Sequence, residues 1–172
     1  SPASVDTIIS WIRTQNLDFT PGTAYAYSNI GYAVLGRIIE AKTGLTYEDY
    51  VQSAVLNPAG ITRMEIGRTL PSDRPADEFF YHPYPGQSNA NSVFDGSTVP
   101  WPDGGFYLEA MDAHGGWIAS TTDILRFISV VDSFPSPADI LSTQSLSEMT
   151  AQPSHWGNIY WYGFGWNIRP AY

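Results

Sequence analysis

Tyr27-Ser28-Asn29 is the stretch of this sequence whose residue types best suit chemistry: a phenol and a carboxamide two positions apart, where a helical pattern begins. A phenol can give or take a proton, and a primary amide donates and accepts hydrogen bonds at once. With one residue between them at a helix entry, both side chains can project into one cleft. The same residues have a plainer reading. Ser28 and Asn29 are good N-cap types, and a tyrosine beside a cap can simply pack. The local sequence leaves both readings open. Ser28 itself reads as a cap rather than a nucleophile, because a serine without an adjacent base is poorly activated.

The remaining chemistry-bearing residues are more scattered. His82, His114 and His155 lack the close spacing of a helix-borne metal pair. His155 sits in a polar loop. His114 precedes Gly115-Gly116 and is a candidate substrate-facing residue. Trp101, Tyr81 and Tyr84 offer large, stiff contact area and either line a substrate groove or pin a loop. There is no cysteine, which excludes disulfides, a cysteine nucleophile and thiolate metal sites and leaves the compartment open.

The chain of 172 residues carries a net charge of −9 with a single lysine, Lys42. So acidic a chain is poorly suited to nucleic acid or to an anionic membrane surface. Hydrophobic residues at 43% and charged residues at 15% describe a folded composition of single-domain size, residues 1–172. No apolar run is long enough to cross a bilayer, and the first ten residues lack the basic start and apolar core of a signal peptide.

These side chains must be held by the elements around them. A helix is predicted over Val5–Gln15, capped by Ser4, with Ile8, Ile9 and Trp11 on its apolar side. Pro21-Gly22 fits the centre of a turn. A second helix starts near Ser28 or Asn29, with Ile30, Val34, Ile38 and Ala41 as its stripe, widened by Ala33 and Leu35, and ends at Gly44. Thr46 begins a third helix that Asn57-Pro58 stops. Residues 61–112 form a long Pro-rich, aromatic-rich excursion, read as ordered and lying over the body. Ser120 caps a helix carrying Ile124, Leu125, Phe127, Ile128 and Val131. Another is predicted from Ala138 to about Thr150. The segment "NIYWYGFGWNIRP" alternates and reads as one strand.

The order of these elements, and the stretches "PGTAYAYSNIGYAVLGRIIEAKTGLTYEDYV", "NPAGIT", "HGGWIASTTDILRFISVV" and "YGFGWNI", resemble the serine β-lactamase and penicillin-binding-protein superfamily, in particular its class C β-lactamase-like branch. The resemblance implies an α+β, β-lactamase/transpeptidase-like fold, of which this chain holds a mainly α part with a long irregular loop and one or a few strands. It implies hydrolysis of an amide or ester through an acyl-enzyme, with no cofactor and no metal, on a small-molecule or peptide-like substrate. β-Lactamase, D-Ala-D-Ala carboxypeptidase, D-aminopeptidase and esterase action all stay open. A periplasmic or extracellular setting is favoured on the same ground.

The family site combines a Ser-x-x-Lys, a Tyr-x-Asn, and a Lys-Thr-Gly or His-x-Gly on a strand. By resemblance Tyr27 and Asn29 supply the second part. A phenol stabilised as phenolate beside a lysine ammonium can take the serine proton and return it to the leaving group, and the amide can orient substrate and lysine. The sequence departs from the family in two ways. Ile39 stands three residues before Lys42, so Ser-x-x-Lys occurs nowhere. Lys42-Thr43-Gly44 matches the third motif in letters but reads as a helix end. The expectation is therefore a central fragment of a hydrolase, inactive alone, whose remaining motifs belong to the rest of a parent protein. The alternative is a non-catalytic module that uses the aromatic excursion to bind peptidoglycan, glycan or peptide.

Overall fold

The computed structural model describes residues 2–82, 89–154, 157 and 159–170. Tyr84 and His155 lie outside these described residues. The chain divides into two compact units, residues 1–15, 28–52 and 64–119 in the first and residues 16–27, 53–63 and 120–172 in the second.

The first unit begins with α1 (Val5–Ile12), whose cap Ser4 accepts from the Thr7 N–H as predicted, although the helix stops three residues before Gln15. Its expected apolar side is covered only in part: Ile9 is half-buried, Ile8 and Trp11 are exposed, and Val5 is the buried position. The helix α2 (Asn29–Thr43) starts where the sequence indicated and ends on Gly44 at φ 73°, the left-handed geometry that glycine adopts without a Cβ clash. Lys42 lies in its last turn, and Thr43 Oγ1 turns back to donate to the Ile39 carbonyl at 2.8 Å. Lys42-Thr43-Gly44 is thus a helix end.

The buried face of α2 meets the predicted stripe only in part. Ala33 of the stripe is buried, together with Gly36, Ile30 and Val34 are half-buried, and Leu35, Ile38 and Ala41 are exposed. The reason is the turn at Asp112–His114, which packs directly on this helix. A Cβ on Gly36 would stand 2.7 Å from the Ala113 Cβ, so only a face of small residues permits the approach. Arg37 fixes it by pairing with Asp112, and also with Glu40 at 3.1 Å.

Helix α3 (Tyr47–Val51), capped by Thr46, runs into a wider π turn over Gln52–Leu56. Glu48 of α3 accepts from the Ile66 N–H at 2.8 Å. That bond anchors β1 (Glu65–Ile66), which pairs antiparallel with β4 (Trp117–Ile118), Ile66 opposite Trp117. A hairpin joins β2 (Asn89–Asn91) to β3 (Thr98–Pro100), closed by the Ser92 N–H on the Ser97 carbonyl at 2.7 Å. The described residues of the proline-rich excursion are held by short pairings and single 3₁₀ turns rather than by long elements.

The second unit packs α4 (Thr121–Ser129) and α5 (Thr143–Thr150). Val130, Val131 and Leu146 form its core, flanked by Ala59, Phe127, Ile140, Met149 and Trp166. Ser120 caps α4 by accepting from the Asp123 N–H. Of the predicted apolar positions Val131 joins the core and Phe127 packs against it, whereas Ile124, Leu125 and Ile128 are exposed and Asp123, 4% exposed, takes an inward position. It can do so because Ser120 and Arg126 both donate to its carboxylate. Helix α5 starts at Thr143, not Ala138, with Ser142 as its cap. The expected C-terminal strand is a hairpin of β5 (Trp161–Tyr162) and β6 (Asn167–Ile168). The turn forms because Gly165 takes φ 81° and Gly163 passes so near helix α5 that a Cβ would lie 2.3 Å from the Met149 carbonyl oxygen. Among the described residues no helix is long and apolar enough to cross a membrane.

Candidate functional site

Two places merit attention as sites. The first is the entry to α2. Upstream, Thr20–Thr23 closes a turn through the Thr23 N–H on the Thr20 carbonyl at 3.2 Å, with Gly22 at φ 80°. This matches the Pro-Gly signature, since proline presets the first central position and glycine supplies the positive φ of the second. Tyr27 follows outside any helix or strand with its side chain at the surface, 70% exposed. Ser28 occupies the N-cap with φ −147° and ψ 112°, but its hydroxyl makes no capping hydrogen bond. Asn29 is the first residue of the helix and is exposed. The passage from one unit to the other falls between Tyr27 and Ser28.

The second place is a cavity of about 450 Å³ inside the first unit. Tyr81 and Trp101, singled out in the sequence, line it together, joined by Phe106, Trp117, Arg68 and His82. Trp101 and Phe106 stack at a tilt, ring centroids 4.6 Å apart. Trp117 is held edge-on to Tyr47 with centroids at 6.1 Å, and its indole N–H donates to the Tyr47 hydroxyl at 3.3 Å. Burial pushes the Tyr47 phenol above its ordinary pKa, the indole hydrogen bond opposes this, and the Asp112 carboxylate adds to the rise. His114 is not among the lining residues. Its Nδ1 is buried on the Asp112–His114 turn without a hydrogen-bond partner among the described residues.

Arg74 builds one wall. Its Nε donates to the Arg68 carbonyl at 3.1 Å, Nη1 to Asp103 Oδ1 at 2.9 Å, and Nη2 to the carbonyls of Thr69 at 2.9 Å and Pro102 at 2.7 Å. The guanidinium thereby ties two stretches far apart in sequence, and its fixed fork of donors suits the task. It also lies 5.0 Å from the centre of the Tyr81 ring. Tyr81 in turn donates to Glu78 at 2.6 Å. Burial first, then that carboxylate, raises the Tyr81 pKa.

Thr69, 2% exposed, organises the neighbouring stretch. Its N–H donates to Glu109 Oε1 at 3.0 Å and its hydroxyl to Glu109 Oε2, while the hydroxyl oxygen accepts from the Leu108 N–H at 2.8 Å. Burial works against the Glu109 carboxylate, but the Thr69 hydroxyl and N–H outweigh it and hold its pKa below the usual range. Arg68, Arg74 and Glu109 were not singled out in the sequence. The signal that could have found the arginines is their placement: a chain of net charge −9 has seven arginines, and both of these fall within the aromatic excursion. Among the described residues no group of three or more His, Asp or Glu side chains could hold a metal ion.

Comparison with known proteins adds the following. The family model described as Beta-lactamase matches residues 2–171. Penicillin-binding protein 4* of Bacillus subtilis is 28% identical over 174 residues, which take in 94% of this chain and 36% of that protein. A D-aminopeptidase of Cereibacter sphaeroides is 32% identical over 129 residues, 71% of this chain and 24% of that enzyme. The chain thus spans about a third or less of these curated relatives. Among solved structures, the penicillin binding protein from Bacillus halodurans superposes with a TM-score of 0.71 at 18% identity, covering 98% of this chain and 47% of that one.

Proposed function

This chain belongs to the beta-lactamase family, within the serine β-lactamase and penicillin-binding-protein superfamily, and on that premise we propose that it is the central part of a serine hydrolase acting on an amide or ester through an acyl-enzyme. Tyr27 is the general base and acid of this proposal, and Asn29 the amide that orients substrate. The fold is that of β-lactamases and transpeptidases, with five α-helices and short strands among the described residues.

The observation that carries the proposal is the exposure of Tyr27 at the start of α2. A base must come within hydrogen-bond reach of the proton it takes, and a ring 70% exposed is open to a serine hydroxyl where an entombed one would not be. The 172 residues contain no Ser-x-x-Lys, so the proposal assigns the nucleophile and its lysine to other residues of the protein. The names of the relatives, a penicillin-binding protein and a D-aminopeptidase, support penicillin-type amides and D-amino-acid peptides as candidate substrates, and the family resemblance favours a periplasmic or extracellular setting.

The test has two arms. The 172-residue chain incubated with a fluorescent penicillin should acquire no covalent label and no mass shift; a labelled chain would sink the assignment of the nucleophile elsewhere. The reading frame on either side of these residues should encode a Ser-x-x-Lys before them and a His-x-Gly or Lys-Thr-Gly after them. In that longer protein Tyr27→Phe should lower kcat for a D-alanyl peptide or nitrocefin by about 100- to 10,000-fold, the usual worth of a positioned acid–base group. Unchanged kcat, or a frame lacking both motifs, overturns the proposal.

A further inference from the structure

The cavity of the first unit holds an imbalance of charge. Arg74 is matched by Asp103 at 2.9 Å and by Glu78 at 3.9 Å. Arg68, on the same cavity wall, is not matched in this way. Among the described residues its guanidinium donates no hydrogen bond and forms no ion pair. Its charge acts on Glu109, whose two oxygens are already bound by Thr69. With none of its five donors engaged among the described residues, this arginine beside aromatic walls is set to take an acceptor from outside, and the group that matches its planar fork is a carboxylate.

The walls define the rest of the ligand. Trp101 stacks on Phe106 and Trp117 is pinned by Tyr47. Tyr81 is held by Glu78. Rings fixed in this way lose little freedom when a flat apolar group slides between them. About 450 Å³ lies within the usual span of small-molecule pockets, and an apolar lining with a few polar groups is their usual make-up. Among the described residues lining this cavity, Arg68 and Arg74 are the arginines and only Arg74 is paired; one such cation, in a chain of net charge −9, suits one negative charge rather than several.

We propose that this cavity binds a small aromatic monocarboxylate, its carboxylate on the Arg68 guanidinium and its ring against Trp101, Phe106 and Trp117. The site is built from residues of one unit and does not rest on the roles given to Tyr27 and Asn29. Binding is read without turnover, so its failure says nothing about hydrolysis, and loss of hydrolysis says nothing about it.

Phenylacetate and its neutral isostere phenylacetamide are titrated into the 172-residue chain by calorimetry or ligand-observed NMR. Phenylacetate should bind at least tenfold tighter than phenylacetamide, and raising ionic strength should narrow the gap. Arg68→Gln should bring the ratio close to one, and Arg68→Lys, which keeps charge but loses the fork, should leave an intermediate ratio. Trp101→Ala should weaken both ligands. Circular dichroism establishes that each variant folds; if Arg68→Gln does not, Arg68→Lys and the salt dependence carry the decision. The proposal fails if neither ligand binds saturably, or if the wild-type ratio is near one. It also fails if the ratio is indifferent to salt and to substitution of Arg68, or if Trp101→Ala binds both ligands like wild type.

Discussion

Arg74 and Asp103, 29 positions apart in sequence, meet in an ion pair of 2.9 Å, and the same guanidinium donates to three main-chain carbonyls. Its side chain is 10% exposed and that of Asp103 29%. The pair is partly dry, and its worth lies as much in the carbonyls it satisfies as in the charge it balances. Without Arg74 the segment carrying Tyr81 and the segment carrying Trp101 lose their shared tie.

Truncating Arg74 should therefore be costly. Arg74→Ala leaves a carboxylate and three carbonyls short of donors, and we expect a loss of about 3 kcal/mol in urea unfolding. Arg74→Lys should recover only part of it, because an ammonium cannot reach four acceptors in the directions a guanidinium does. A loss within ~0.5 kcal/mol for the alanine variant, the range of ordinary surface substitutions, would show that the clamp is dispensable.

Glu109 gives a pH dependence of known sign. Its pKa is lower in the folded chain than the ordinary 4.5, so below that value the unfolded state binds more protons than the folded one. Stability from this group is complete above the ordinary pKa and is lost as pH falls through the depressed one. Urea midpoints of the wild type should drop across that acidic window, and Glu109→Gln should drop less over the same window while starting lower at neutral pH. Parallel curves for the two proteins would remove Glu109 from the acid transition.

Two glycines of α2 should respond in opposite ways to alanine. At Gly36 a Cβ would stand 2.7 Å from the Ala113 Cβ, whereas at Gly31 nothing lies within 4 Å. Gly36→Ala must push the Asp112–His114 turn away and should cost about 1–3 kcal/mol. Gly31→Ala should be neutral or stabilise by up to about 1 kcal/mol, as alanine favours helix over glycine. Thermal melts of the two variants settle the contrast, and equal shifts would mean that the turn yields freely.

The sequence alone determined the features whose physics is local. Ser4, Thr46 and Ser120 cap helices through bonds to N–H groups three residues on, and Gly44 ends α2 through a bond from its N–H to the Glu40 carbonyl four positions back. Such bonds are written in neighbouring letters, as is the Thr20–Thr23 turn. So are the segments that carry the family resemblance, and with them the place of Tyr27 and Asn29 at the start of α2. Only the tertiary structure decided which faces are inside. The small face of α2, not its aliphatic stripe, is buried because Arg37 and Asp112 draw together from 75 positions apart. Asp123 turns inward on α4 because two donors satisfy it there. The cavity is assembled by bonds that span 28 to 40 positions, from Arg74 to Pro102 and from Thr69 to Glu109. Periodicity reports whether a side chain is apolar. It does not report which distant segment will arrive to cover it, because that choice is made by the sum of long-range contacts and not by any window of the chain.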